Sequence, residues 1–481
     1  MKRAMRAQKT LVAIACLVGA CCIAGCRQSE NVGRTVVLIS LDTTRPDHMT
    51  MYGYRQPTTP RLGELAADGI VFDQAIAVHS NTSPSHASML TGLYPPSHGS
   101  LNNGVPISEG ITTMAEILVD EGFATAAFVS GVTLKAENCG LDRGFDEYED
   151  DFEGFGRGAQ ATLDRATSWF LKQRSDQDVF LFFHLYDPHF DYNPPKRFAN
   201  FGLTAGIRPP DPIKREELME RLRNEGSSAE LNRSLKEWVR RYDGEIAYAD
   251  WAAGELLDAL RKRRRYDEAL IIMVSDHGET LTERPWIFDH GSRVTEEQIR
   301  VPMILKLPTQ SFAGKRIAQP VSHIDILPTF LSYVGLAQSA DYDGVDLRRL
   351  AAGEDLQLNR TLFAMARRAP KRMVEFEFTV PPPAKPGKPG SQILAARQTR
   401  YKLVDYGFMS PRNLLVFYDL IEDPLEARSV VWTSGASQTR HEEFNKVLEE
   451  WWQNTWRPEA APTMDIPEET MEVLRALGYV E

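Results

Sequence analysis

Thr35-Val36-Val37-Leu38-Ile39-Ser40-Leu41-Asp42 decides the fold. The run is largely apolar at consecutive positions and rich in β-branched residues, so it predicts a strand buried on both faces, as in a parallel sheet under helices. It ends on a carboxylate, at the edge where open α/β sheets hold ligands. Read alone, Asp42 serves equally well as a cap on the next turn. Two later stretches repeat the pattern. Asp178-Val179-Phe180-Leu181-Phe182-Phe183 delivers His184-Leu185-Tyr186-Asp187-Pro188-His189, and the run 269–274 delivers Ser275-Asp276-His277-Gly278-Glu279. A parallel sheet sets such ends side by side. Asp42, Asp276 and His277 then share one site, and a mixed oxygen and nitrogen metal cage accounts for them better than three unrelated caps.

Outward from these strands, a strand over 70–77 leads into Thr82-Ser83-Pro84-Ser85-His86-Ala87-Ser88-Met89-Leu90-Thr91-Gly92. Hydroxyls and one imidazole crowd the start of a helix, where free backbone N–H groups attract anions. An ordinary capped helix uses the same residue types. Further helices are expected over 59–69, 113–121, 159–172, 235–263 and 325–334, and further strands over 124–129 and 301–306. Residues 203–233 form a polar, helical excursion. The basic run Arg261-Lys262-Arg263-Arg264-Arg265 complements the negative end of the long helix before it. A smaller α+β region follows, with strands near 401–406 and 414–418, a Pro-rich loop at 381–390 and a last helix over 470–477.

The chain has 481 residues, enough for a large catalytic domain and a smaller companion at about 100–200 residues per domain. Lys plus Arg number 55 against 66 Asp plus Glu, and no long basic tract is present, so nucleic acid is not an expected partner. Lys2, Arg3, Arg6 and Lys9 precede an apolar run that closes on Ile23-Ala24-Gly25-Cys26 and is shorter than the ~20 residues of a membrane span. This end resembles the lipobox of bacterial lipoproteins. The resemblance implies cleavage after residue 25, lipid on Cys26, and export to the cell envelope with membrane attachment. Cys16, Cys21 and Cys22 leave with the signal, so Cys139 remains without a disulfide partner. The expected division is a signal over 1–25, a tether over 26–34, a catalytic domain over 35–355 and a smaller domain over 356–481.

Taken in order, several motifs resemble the sulfatase branch of the alkaline phosphatase superfamily: Ile39-Ser40-Leu41-Asp42, the Ser85–Gly92 stretch, Val274-Ser275-Asp276-His277-Gly278-Glu279, Glu296-Glu297-Gln298-Ile299-Arg300-Val301-Pro302, Asp325-Ile326-Leu327-Pro328-Thr329 and Tyr418-Asp419-Leu420-Ile421-Glu422-Asp423-Pro424. The resemblance implies an α/β fold with a mostly parallel central sheet between helices, and a metal-dependent hydrolase or transferase acting on phosphate or sulfate esters. In that family's sulfatases a Cys or Ser within Cys/Ser-x-Pro-x-Arg becomes formylglycine. Here Thr82 precedes Pro84 by two and His86 follows it by two, and threonine does not form formylglycine. Where the family has Gly-Lys-x-His, the chain reads Val129-Ser130-Gly131. Relatives with an unmodified threonine are phosphodiesterases and phosphoethanolamine or lipoteichoic-acid transferases, so phosphodiesters or phosphonate esters are favoured over sulfate. The alternatives are a sulfuric ester hydrolase without formylglycine and an inactive envelope binding protein.

The resemblance implies Thr82 as nucleophile and a divalent cation on Asp42, Thr82, Asp276 and His277. Oxygen ligands suit Mg, Mn or Ca, and the histidine admits Zn. His189 is implied to contact substrate or protonate the leaving group, and His290 lies where the family keeps a lysine or histidine, though read singly each serves equally well as a structural histidine. His86 either stands in for the missing arginine or is a helix-face residue. Two-metal relatives imply a second ion on Asp187, His189 and His290. Glu279 is expected to orient His277, while His184 and His323 are expected to be structural.

Overall fold

The computed structural model describes residues 32–199, 201–203, 211–337, 342–354, 360–367, 392–406, 415–428, 436–455 and 472. The signal segment with Cys26, the Pro-rich loop 381–390 and, apart from Glu472, the helix expected over 470–477 lie outside them. Among the described residues no helix is long and apolar enough to cross a membrane.

The main sheet is built from β1 (Thr35–Leu41), β2 (Ile70–Ile76), β3 (Ala124–Phe128), β4 (Glu147–Glu149), β5 (Val179–Leu185), β6 (Leu270–Val274), β7 (Arg300–Lys306), β8 (Lys315–Ile317) and β9 (Val321–Ser322). Their order is β4-β3-β5-β1-β6-β7-β2-β8, with β9 also beside β2. β1 is buried along its whole length and pairs in parallel with β5 and β6, Ile39 lying opposite Phe183 and Met273. The apolar runs thus end together, and β5, β1 and β6 are adjacent. β7 alone is reversed, antiparallel to both β6 and β2. It enters from the edge where β6 ends, so Glu296 to Ile299 lie at the site edge of the sheet.

Period-two burial splits the strand side chains between two helical layers. Val36 and Leu38 pack with α2 (Thr82–Thr91), α3 (Met114–Asp120) and α6 (Ile326–Val334). Val37, Ile39 and Leu41 pack with α1 (Pro60–Ala67), α4 (Ala159–Lys172) and α5 (Ala229–Lys262). The long helix begins inside the polar excursion, where Ser228 caps it by accepting from the Leu231 N–H. Arg261 and Lys262 of the basic run lie in the last turn of the long helix, as expected, while Arg265 turns inward and donates to the carbonyls of Arg174, Ser175 and Gln177, tying together the loops at the far edge of the sheet.

The small C-terminal sheet is antiparallel, β10 (Leu362–Arg367), β11 (Gln392–Arg397), β12 (Tyr401–Asp405) and β13 (Leu415–Asp419) in that order. Phe444, Leu448, Trp451 and Trp452 of α7 (Ala436–Thr455) cover it. The Met365 N–H donates to the Val78 carbonyl and the Ser80 N–H to the Met365 carbonyl, so β10 braces the loop that carries Thr82. Lys402, fully buried, joins the two sheets through Glu296 and Glu426.

Candidate active site

The helix bearing Thr82 starts where β2 ends, and its first amides are capped by a distant side chain. Asn81 occupies the cap position without a side-chain cap bond, and its amide donates to Asn102 Oδ1 at 2.6 Å. The Ser83 N–H donates instead to Asn103 Oδ1 at 2.8 Å. Ser83 and Ser85 spend their hydroxyls on the carbonyls of Thr133 and His79. That leaves Thr82, 1% exposed, as the hydroxyl facing the strand ends, with Oγ1 3.3 Å from His277 Nε2.

The strand ends bring together what the sequence predicted. One ligand atom from each of Asp42, Asp276 and His277 lies within 4.8 Å of the others, and all three residues are fully buried. Asp276 Oδ1 accepts from the backbone N–H groups of Thr43 and His277, while Asp276 Oδ2 and both oxygens of Asp42 have no hydrogen-bond partner among the described residues. Burial, then the charge of Asp276, holds Asp42 well above the ordinary carboxylate range. Burial opposes charge on His277, but Asp276 and Asp42 outweigh it and raise its pKa. Buried carboxylate oxygens left bare are expensive unless a cation is present. The donor set, three such oxygens with an imidazole nitrogen and a hydroxyl beside it, therefore fits a divalent ion. Thr43 holds φ at 50° to turn the chain between Asp42 and the Asp276 contact.

His189 and His290 stand next to this cluster. Their rings are 4.9 Å apart in an edge-on arrangement, and the His290 ring is 4.4 Å from that of His277. His189 Nδ1 donates to the Phe190 carbonyl at 2.6 Å, and the ring stacks on Tyr186. Burial pushes both histidines down to about 3, so both rings are neutral near pH 7. They line a cavity of about 630 Å³ that continues to Asp187, Arg215, Glu245 and Phe288.

A family model for Sulfatase matches residues 34–336. The chain belongs to the sulfatase family. This family's relatives are ester hydrolases, and so is this member. It is 24% identical over 366 residues to an ulvan-active sulfatase of Formosa agariphila, covering 70% of this chain and 69% of that protein. Among solved structures, this sulfatase-family chain superposes with a TM-score of 0.67 on a protein bound to D-glucosamine-2-N,6-O-disulfate, at 19% identity over 89% of this chain and 98% of the other. It matches phosphonate monoester hydrolase of Agrobacterium radiobacter with the same TM-score, at 21% identity over 87% and 95%. Both likenesses establish the fold.

Several sulfatase-type expectations need correcting in this member. His86 lies behind the cluster, Nδ1 3.9 Å from Asp276 Oδ2, but Nδ1 donates to the Thr82 carbonyl and Nε2 accepts from Ser40, each at 2.8 Å, so it holds the helix start and has no nitrogen left for a substrate. Asp187, His189 and His290 do not assemble a second cage among the described residues, and Asp187 Oδ1 is taken by the Ala159 N–H. Glu279 bonds His290 at 3.2 Å, while His277 Nδ1 donates to the Gly278 carbonyl. His323 is structural, bonding the Ser275 carbonyl. His184, expected to be only packing, lies with Nε2 3.4 Å from Asp42 Oδ2. Sequence reasoning missed Asn103 and Thr133. Asn103 Nδ2 and Thr133 Oγ1 are buried, have no hydrogen-bond partner among the described residues, and belong to residues bonded to Ser83. Thr133 lies two residues past the quoted Ser130-Gly131, so the departure from Gly-Lys-x-His was the available signal.

Proposed function

We propose that this sulfatase-family hydrolase cleaves anionic phosphorus esters, phosphodiesters or phosphonate monoesters, through the unmodified hydroxyl of Thr82. The observation that carries the reading is the placement of Thr82 Oγ1, first in its helix and 3.3 Å from His277 Nε2, beside carboxylate oxygens that lack any partner. A divalent ion on Asp42, Asp276 and His277 would lower the pKa of the hydroxyl and polarise a non-bridging ester oxygen. Asn103 Nδ2 and the Thr133 hydroxyl, both uncharged and both on residues bonded to Ser83, would donate to the other non-bridging oxygens. Thr82 Oγ1 forms a bond to phosphorus as the bond to the alcohol oxygen breaks, and the alcohol takes up a proton as Thr82 gives one up. The alcohol leaves toward the cavity lined by His189 and His290, and water then releases the group from Thr82. The neutral His189, its Nδ1 bonded to the Phe190 carbonyl and the Tyr186 hydroxyl, stands on the side toward which the alcohol leaves. Export and lipid attachment at Cys26 belong to the same proposal, supported by the Ile23–Cys26 motif.

A panel of p-nitrophenyl sulfate, phosphate, phosphodiester and phosphonate substrates with added Mg, Mn, Ca or Zn tests the reading. The phosphodiester or phosphonate should be turned over fastest. Thr82→Ala should lower kcat/KM about 10³-fold or more, with Thr82→Ser retaining part of it. Faster cleavage of the sulfate would instead support a sulfatase without formylglycine. Replacing Cys26 by Ser should move the protein out of the membrane fraction.

A further inference from the structure

The edge of the main sheet opposite the active site carries the basic run that the proposed chemistry leaves unused. β1 enters the sheet there, and its start is held in place. The Gly33 N–H donates to the Ser175 carbonyl at 2.9 Å, and Arg265 Nη1 donates to Thr35 Oγ1 at 3.0 Å. Arg263 donates to the Gln173 carbonyl, which closes the end of α5 against the end of α4. The ends of both helices therefore pack around the point where the chain enters the fold from Cys26.

Positive charge collects at this point. The nearest carboxylates are spent, Asp178 on Arg34 and Asp176 on Arg174, and Arg261 pairs with Asp258. Lys172, Lys262, Arg263 and Arg264 form no ion pair among the described residues, and Lys172, Lys262 and Arg264 are exposed. The dipole of α5 is served within its last turn by Arg261 and Lys262, so it does not account for Arg263 and Arg264 beyond it. Leu171, beside Lys172 in the last turn of α4, is 49% exposed. Exposed acids bound the patch, Asp120 and Glu121 at the end of α3 and Asp267 and Glu268 before β6. The patch runs against the balance of the chain, which has 66 Asp plus Glu and 55 Lys plus Arg.

The chain itself says what this patch faces. Cys26 lies seven residues before Gly33, so even at full extension it is within about 25 Å of this edge. A lipid on Cys26 brings a bilayer to the basic end of the molecule. Lys and Arg close to an anionic bilayer surface are each worth about fivefold in binding, and an apolar side chain among them adds to the attachment. We propose that Lys172, Lys262, Arg263 and Arg264, around Leu171, rest on anionic lipid headgroups of the bilayer that holds Cys26. This inference rests on the lipid attachment proposed above. It sets the catalytic site away from the bilayer, because Asp42 lies at the other end of β1, roughly 25 Å along the strand. The ester then reaches Thr82 from the aqueous side and not from the leaflet in which the protein is anchored.

The full chain, extracted in detergent, is reconstituted into vesicles of phosphatidylcholine alone or with about 30% phosphatidylglycerol, both containing a lipid with a nitroxide headgroup. A fluorophore on Leu171→Cys should be quenched about twofold more in the anionic vesicles than in the neutral ones, and the difference should vanish at about 1 M salt. A fluorophore on Phe155→Cys, at the active-site cavity, should stay bright in both. Cys139 is buried and does not compete for the label. Combining Lys172→Glu, Lys262→Glu and Arg264→Glu should abolish the quenching at Leu171→Cys and leave the melting temperature within about 2 °C, because all three residues are exposed. Equal quenching at the two labelled positions, or quenching indifferent to phosphatidylglycerol or to the charge reversal, overturns the proposal. The mass of the Cys26 peptide reports separately whether lipid is attached. A chain without lipid, mixed with the same vesicles, should still be quenched more by the anionic ones at Leu171→Cys, so loss of the anchor and loss of the headgroup contact are told apart.

Discussion

Asp42 is the residue with most at stake. Both of its oxygens are buried without hydrogen-bond partners among the described residues, and Asp276 presses a second carboxylate against it. Replacing Asp42 by Asn should therefore act with opposite signs. In chelator the variant should melt above the wild type, because a like-charge contact is gone. With saturating divalent ion it should melt below, because the wild type gains binding energy that the variant lacks, and a difference of about 2 °C or more in each direction is expected. Thermal scans of both proteins in the two conditions check this. Legibility at this scale follows burial and locality. Asp42, Asp276 and His277 could be read because each follows directly on a buried apolar run. Asn103, Thr133 and the Glu279–His290 bond could not, since they sit in loops whose paths no periodicity specifies. His86 stayed open between two roles because a helix-start imidazole looks the same whether it faces a ligand or, as here, Ser40 behind it.

At the scale of elements, the doubly buried strands β1, β5 and β6 were legible, and so was the site edge they create. The reversal of β7 was not, because an apolar strand reads the same in either direction. That reversal matters to the site. It brings Glu296 to Ile299 back against the loop after β6, where the Gly278 N–H donates to the Gln298 carbonyl. A Cβ at Gly278 would lie 2.1 Å from the Glu297 carbonyl oxygen, backbone against backbone. Gly278→Ala should accordingly push the His277 loop away from β7, costing about 2–4 kcal/mol. The expected result is a fall of several °C in melting temperature together with weaker divalent-ion binding, followed by calorimetry. Unchanged ion affinity would show that the loop can relax without moving His277.

Across the whole molecule, charge burial sets the response to pH. Asp187 rises from an ordinary 3.8 to about 7, Glu245 from 4.5 to about 9 and Asp250 from 3.8 to about 7, each first of all by burial. The folded state holds these protons after the unfolded chain has released them, so their stabilising effect is complete below about pH 4 and is lost as pH rises through 7 to 9. Burial opposes ionisation of Asp47 and Glu296 as well, yet Arg45 holds the first at about 2, and Arg397 with Lys402 holds the second at about 2. They contribute above pH 4 and are lost below it. Stability should peak at about pH 6.5. On the acid side the buried neutral His189 and His290, held at about 3, are forced to charge. On the alkaline side stability declines toward about pH 9, where Glu245→Gln should flatten the curve, as read from denaturant midpoints across the range. The placement of the C-terminal sheet was legible only as a strand-rich tail. Its attachment depends on Lys402, Glu296 and Glu426, three charges whose burial no local pattern announces.

The most direct test of the account is to mix the metal-loaded enzyme with a phosphodiester or phosphonate ester, quench within the first turnovers, and map the peptides by mass spectrometry. The account predicts a covalent adduct carrying the phosphorus group on Thr82 and none in Thr82→Ala. An adduct on another residue, or full turnover by Thr82→Ala with no adduct at all, would contradict it.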